Sequence, residues 1–310
     1  MSVFPTKMLL AVDGSTESDR AAQMAVGLSN KLDSELHVVH VGLLPSVADP
    51  EFAILNPRLQ ESLREHAERY ARERLDEQVE KIKGAGGKVA EAHAKVGRPD
   101  AEIVRLAEES GVGLVVLGSR GLGPLRRAVM GSVSSSVVHH AHSSVLVVRG
   151  DGRGERDYLP GTILLAFDGS TEAKAAARAA VEIAGGTGSE LHILYVLRTE
   201  PYIPHLGPEI WEGWEATLER AKRDAGSWIA GQAKRMGAEV ARVAEAHLAF
   251  GEPDEEIVKL SEELDAGLVV IGSRGLGGVR RALMGSVSDS VVRHAPCPVL
   301  MVRRQERKEF

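Results

Sequence analysis

A stretch of 24 residues occurs twice in this chain, and that repetition constrains the fold more than any other feature. GSRGLGPLRRAVMGSVSSSVVHHA, Gly118 to Ala141, returns as GSRGLGGVRRALMGSVSDSVVRHA, Gly272 to Ala295, with 19 of the 24 positions identical. The likeness extends further: Met8 to Thr16 matches Ile163 to Thr171, Leu36 to Val41 matches Leu191 to Val196, and His93 to Ile103 matches His247 to Ile257. The offset is 155 residues early (Asp13 to Asp168) and 154 late (Gly118 to Gly272), so the copies differ by one residue between Val196 and His247. A duplicated unit of roughly 145 residues has the size of one domain. The chain of 310 residues therefore divides into domains at 1–149 and 161–305, joined through a polar, Gly-rich linker at 150–160.

Inside each copy apolar runs alternate with helix-like segments. In the first, strands are expected over Met8 to Val12, Leu36 to Val41, Lys88 to Ala94, Leu114 to Leu117 and Ser144 to Val148. Helices are expected over Ser18 to Leu32, Arg58 to Lys83, Asp100 to Glu109 and Ser132 to His140; in the second copy Pro208 to Met236 is the long charged helix. The first, second, fourth and fifth strands are continuously apolar, as when both faces of a parallel sheet are covered. Alternating β and α elements then give a three-layer α/β/α domain with a doubly wound parallel sheet. The charged run from Glu65 to Arg74 reads as a solvated helix face.

The repeated segment follows a strand, is rich in glycine, and opens a helix. That arrangement turns backbone N–H groups toward an anion. The spacing is Gly-x2-Gly-x9-Gly-Ser: Gly118, Gly121, Gly131 and Ser132, then Gly272, Gly275, Gly285 and Ser286. Glycines at a strand end permit positive φ and leave no Cβ between backbone and ligand. Ser132 and Ser286 are placed to cap the helix or to bind a phosphate oxygen. Arg120, Arg126 and Arg127, with Arg274, Arg280 and Arg281, put positive charge around the loops. The bland alternative is a turn that merely joins strand to helix, which duplication makes less attractive.

Asp13 and Asp168 end the first strand of each copy, and open α/β sheets bind ligands at the carboxyl ends of strands where the order reverses. A carboxylate there can accept from a ribose hydroxyl. In Asp-Gly-Ser it can equally form a turn, with Ser15 or Ser170 as helix cap. The residues alone leave both readings open.

These motifs make the chain resemble a tandem universal stress protein, over nearly all its length, in the ATP-binding branch of that family. The resemblance implies a Rossmann-like fold of the adenine nucleotide alpha hydrolase kind, with five parallel strands in the order 3-2-1-4-5. It implies Asp13 and Asp168 near adenosine, and Val41 and Val196 meeting adenine through their backbone. It implies Gly118, Arg120, Gly121, Gly131 and Ser132 around ribose and phosphates, with Gly272, Arg274, Gly275, Gly285 and Ser286 in the second copy. Two sites for ATP with Mg²⁺ follow, in a regulatory, adenylate-sensing module of the stress response with a protein partner still to be named. In that family the fifth strands commonly pair, here between the domains of one chain or in a homodimer.

No catalytic residue stands out. Gly87-Lys88 is followed by Val89, so a P-loop is absent, and no Gly-x-Gly-x-x-Gly follows the first strand. A slow ATPase or an autokinase acting on Ser134 or Ser288 is the enzymatic alternative, and a chaperone-like scaffold the structural one. No protein-bound metal is expected: His139, His140 and His142 are matched only by His294, with Arg293 opposite His139. His37, His192, His93 and His247 read as structural sheet histidines, Cys297 as a packed small residue, and Trp211 and Trp214 as helix packing. A net charge of −6 with 4% aromatics disfavours nucleic acid. One cysteine, no secretory pattern at the start and no apolar run of about 20 residues point to a cytoplasmic protein away from membranes.

Overall fold

A computed structural model describes residues 4–44, 57–121, 130–149, 159–198, 208–239, 243–276 and 284–304. The expected linker at 150–158 and Arg126, Arg127, Arg280 and Arg281 lie outside the described residues, as do the side chains of Trp211 and Trp214. The chain divides into two compact units, one of Met1–Leu159 with Arg303–Phe310 and one of Pro160–Val302.

The first unit runs β1 (Lys7–Val12), α1 (Thr16–Leu32), β2 (Glu35–Gly42), α2 (Pro57–Gly84), β3 (Val89–Val96), α3 (Pro99–Glu109), β4 (Leu114–Gly118), α4 (Ser132–His140) and β5 (Ser144–Val148). The second repeats it as β6 (Thr162–Ala166), α5 (Thr171–Thr187), β7 (Glu190–Leu197), α6 (Pro208–Glu239), β8 (Val243–Phe250), α7 (Pro253–Glu263), β9 (Leu268–Gly272), α8 (Ser286–His294) and β10 (Val299–Val302). All strand pairs within each unit are parallel. The order is β3-β2-β1-β4-β5 in the first and β8-β7-β6-β9-β10 in the second, which is the doubly wound arrangement.

The continuous apolar runs become the core. Leu9, Leu10, Leu114, Val115 and Val116 have no exposed surface, nor have Leu164, Leu165, Val269 and Val270. Crossovers between parallel strands are right-handed. The steps β1 to β2 to β3 move one way across the sheet, so α1 and α2 cover one face. The steps β3 to β4 to β5 move back, so α3 and α4 cover the other and pack on each other. The reversal falls between β1 and β4.

The third strand departs from the apolar pattern for a physical reason: it is a sheet edge in each unit, and no residue of β3 is fully buried. Its histidines stack on those of the second strand, His37 on His93 and His192 on His247. Burial, ahead of the opposing charge of Glu91 or Glu245, holds His93 and His247 below the ordinary imidazole range. Among the described residues no helix is long and apolar enough to cross a membrane.

Candidate functional site

The two first-strand turns show the turn-and-cap reading of Asp-Gly-Ser. Ser15 Oγ accepts from Ser18 N at 3.2 Å and so caps α1, while Asp13 Oδ1 accepts from Ser15 N at 2.9 Å. Ser170 caps α5 at 3.1 Å from Ala173 N, and Asp168 Oδ1 accepts from Ser170 N at 2.9 Å. The intervening Gly14 and Gly169 carry φ of +81° and +82°, a conformation that favours glycine. One carboxylate oxygen therefore builds the turn, and the other faces the Gly-rich loop.

That loop needs its glycines for space rather than for positive φ, which corrects the sequence reading. None of Gly118, Gly121, Gly131, Gly272, Gly275 or Gly285 lies in the left-handed region. A Cβ on Gly118 would sit 2.8 Å from the carbonyl carbon of Glu17 in α1, and one on Gly272 would sit 2.8 Å from that of Glu172 in α5. A Cβ on Gly121 would meet Asp13 Oδ2 at 2.2 Å, and one on Gly275 would meet Asp168 Oδ2 at 2.7 Å. Gly131 and Gly285 differ: among the described residues an added Cβ would find nothing closer than 3.4 Å and 3.5 Å, and Gly131 has an ordinary φ of −66°.

Gly131 and Gly285 are the N-caps of α4 and α8, and neither helix has a side-chain cap. Ser132 and Ser286 are the first helical residues, so they do not cap, contrary to one of the roles expected for them. The first amides of these helices thus keep the donor capacity that Ser15 and Ser170 satisfy in α1 and α5. Each helix also presents the positive end of its dipole there.

All of this converges on one cavity per unit, at the carboxyl ends of the strands flanking the order reversal. The first encloses about 540 Å³ and is lined by Asp13, Val41, Gly118, Arg120, Gly121, Gly131 and Ser132. The second encloses about 640 Å³ and is lined by Asp168, Val196, Gly272, Arg274, Gly275, Gly285 and Ser286. Each volume falls within the range of small-molecule sites. Gly42 O accepts from Gly97 N, toward β3, and backbone groups alternate sides along a strand. The Val41 carbonyl therefore points the other way, where β1 has already ended at Val12. Leu194 O accepts from Phe167 N, so the Val196 carbonyl, two residues on, points past the end of β6 in the same manner.

Sequence reading missed several wall residues. Tyr70 and Arg74 line the first cavity from α2, the helix expected to present only a solvated face. The run is two-sided: Ala67, Ala71 and Leu75 are buried, which tips Arg74 over Gly14. Trp228 stands over Gly169 in the second unit, stacked on Phe167 and edge-on to Tyr195. Arg274 is engaged by Glu172 at 2.8 Å, so part of the expected positive charge is neutralised. Ser134 and Ser288 are buried and donate to the carbonyls of Ser119 and Gly272 at 2.8 and 2.7 Å, a poor arrangement for a phosphate acceptor.

Comparison with known proteins decides the lineage. The universal stress protein family model matches residues 5–149 and again 161–303. The chain belongs to the universal stress protein family. A tandem universal stress protein it resembles, from Mycolicibacterium smegmatis, is 31% identical over 301 residues, covering 96% of each chain. One from Mycobacterium tuberculosis is 30% identical over 305 residues, covering 96% of this chain and 97% of the other. Among solved structures, a universal stress protein from Archaeoglobus fulgidus superposes with a TM-score of 0.66 at 28% identity, over 97% of this chain and 99% of that one. Both universal stress protein domains are complete with respect to the cavity, because each retains all seven residues named above.

Proposed function

We propose that each domain binds an adenine nucleotide, ATP with Mg²⁺, and that the chain acts in the cytoplasm as an adenylate-sensing regulatory module in stress rather than as a dedicated enzyme. The observation that carries this reading is the pair Gly131 and Gly285. Neither the backbone conformation nor any neighbour among the described residues requires glycine there. The empty side chain keeps an uncapped helix terminus open to the cavity, which suits a polyphosphate. The Val41 and Val196 carbonyls at the opposite wall suit the exocyclic amine of adenine, and Oδ2 of Asp13 or Asp168 suits a ribose hydroxyl. Mg²⁺ would ride on phosphate oxygens, since Oδ1 of each aspartate is held by the turn.

Binding is favoured over turnover because, among the described residues, the one acidic side chain the two cavities share, Asp13 or Asp168, is tied into its own turn through Oδ1. His40 lines the first, with Nδ1 at 2.8 Å from Val12 O, but Tyr195 replaces it in the second. Calorimetry with Mg-ATP tests the reading: two equivalents per chain are expected, with phosphate release too slow to compete with exchange. Absence of heat and of thermal protection at millimolar Mg-ATP refutes it, and rapid steady-state hydrolysis refutes the regulatory half.

A further inference from the structure

We infer that each domain carries a second site, a His-Glu-His cluster between its second and third strands, that binds a zinc-class divalent cation. The groups are His37, Glu91 and His93 in the first domain and His192, Glu245 and His247 in the second. His37 lies four positions before Val41, or roughly 13 Å along the strand, so the inference does not rest on the nucleotide reading.

A β-bulge builds the cluster. The β2–β3 register runs Leu36↔Val89 and then His37↔Glu91, so Ala90 is the extra residue. The β7–β8 register runs Leu191↔Val243 and then His192↔Glu245, leaving out Ala244. With that slip, Glu91 and His93 fall on the same face as His37, and Glu245 and His247 on that of His192. Without it the carboxylate would point to the other side of the sheet. Bulges re-aim side chains in this way beside functional sites. The same slip at the same place in both copies ties the bulge to the cluster.

The donor atoms are arranged as ligands. Glu91 Oε2 lies 3.6 Å from His37 Nδ1 and 3.4 Å from His93 Nε2. In the second domain His192 Nδ1 and His247 Nε2 share a hydrogen bond of 3.0 Å, with Glu245 Oε2 at 3.9 Å from the latter, so a cation there would take the place of that bond. Metal–ligand bonds of about 2.0–2.2 Å at tetrahedral angles separate donors by roughly 3.3–3.6 Å. The same nitrogens, Nδ1 from the second strand and Nε2 from the third, point inward both times.

His37 supplies the independent sign. Its ring is 2% exposed, yet neither nitrogen has a hydrogen-bond partner, and His93 Nε2 also has none. Buried polar atoms without partners are costly and rare in native proteins. A cation on Nδ1 would satisfy one nitrogen, and Nε2–H would then face Glu35 Oε2 at 3.6 Å, the carboxylate–histidine pairing common behind metal ligands. Two imidazoles and one carboxylate suit zinc and disfavour calcium or magnesium. Water completes the coordination, and the cation staples the edge strand to its neighbour.

The test uses full-length protein stripped with a chelator, then titrated with Zn²⁺ by calorimetry and with Co²⁺ by visible absorption. Two equivalents per chain and the intense d–d absorption of four-coordinate cobalt are expected. Combined His37→Ala and His93→Ala should leave one equivalent, and adding His192→Ala and His247→Ala should leave none. The exposed carboxylates give variants that spare the core: Glu91→Gln and Glu245→Gln should weaken uptake at least 10-fold, with the metal-free melting temperature unchanged. No saturable uptake overturns the inference. So do undiminished binding by the four-histidine variant, or cobalt spectra with only weak octahedral bands.

Discussion

Gly131 and Gly118 stand at two ends of one loop, and alanine at each should separate a glycine kept for a ligand from one kept for packing. At Gly118 and Gly272 the new methyl would lie 2.8 Å from backbone of α1 or α5, so strand and helix must move apart. Overpacking of this kind costs about 1–3 kcal/mol, or roughly 3–9 °C in melting temperature for domains of this size. At Gly131 and Gly285 the methyl meets nothing closer than 3.4 Å among the described residues. Two opposed terms then act on stability. Alanine is worse than glycine as an N-cap by about 1 kcal/mol, and the stiffer unfolded chain returns about 0.4–1 kcal/mol. The nucleotide-free melting temperature of Gly131→Ala with Gly285→Ala should therefore move by less than 3 °C, about 1 kcal/mol.

The effect on ligand is of another order. Displacing an anion from one backbone donor loses a charge-assisted hydrogen bond of about 1.5–3 kcal/mol, or roughly 10–150-fold in dissociation constant. Wild-type protein at 100 times its dissociation constant should gain about 2.7 kcal/mol of stability from Mg-ATP, and the double variant most of that less. Differential scanning fluorimetry with and without Mg-ATP, paired with calorimetry, reads both quantities. If the Gly131 and Gly285 variant melts as early as the Gly118 and Gly272 variant without nucleotide, the glycines are structural. If its affinity is unchanged, the amides do not hold the phosphates. Either result removes the basis of the functional reading.

Trp228→Ala should destabilise the second domain by about 1–3 kcal/mol, as it breaks ring pairs with Phe167 at 5.6 Å and Tyr195 at 5.1 Å; urea unfolding checks this. Burial alone would raise the Asp100 carboxyl, but hydrogen bonds from Ser136 and Arg98 outweigh it and hold the group below its ordinary 3.8. Its stabilising contribution is thus complete above about pH 3.8 and is lost as pH falls through the lower folded value, so the stability gap to Asp100→Asn should narrow between pH 5 and pH 3. Ser134→Ala with Ser288→Ala should leave any phosphate incorporation from labelled ATP unchanged, at about 1 kcal/mol of stability per lost buried hydrogen bond.

The parts of the fold that were legible in the sequence are those set by local chemistry. Leu114 to Leu117 is apolar throughout because both faces of a central strand are covered, and no distant residue needs to be known for that inference. The convergence of Asp13 with Gly121 was legible for a topological reason: parallel strands put every βα loop at one end of the sheet. The grounds for the glycines were not legible, because the atoms that exclude a Cβ at Gly118 and Gly121 belong to Glu17 and Asp13, about a hundred residues earlier. Arg74 was hidden in a charge run whose buried stripe is carried by small alanines. The histidine clusters were hidden by the bulges at Ala90 and Ala244, since strict alternation from either strand alone does not fix which side chains share a face.

The two copies differ in the rings gathered at the first-strand turn, and that asymmetry carries its own consequence. The repeated segment that carries the Gly-rich loop and the uncapped helix is identical at 19 of 24 positions. Val12 is replaced by Phe167 and His40 by Tyr195, and Trp228 stands over Gly169 where Arg74 stands over Gly14, so the second unit has three packed rings at this turn. If the loop grips phosphates and the far wall meets the nucleoside, selection has held the first interaction and released the second. Tripolyphosphate with Mg²⁺ should then bind both domains as one class of site. Mg-ATP should resolve into two classes, with quenching of Trp228 emission confined to one. Ring stacking is worth about 1–3 kcal/mol per base, so the classes should differ by roughly 5–150-fold, the aromatic site being tighter. Two classes for tripolyphosphate, or one for ATP, would place the discrimination in the loop and contradict this division of labour.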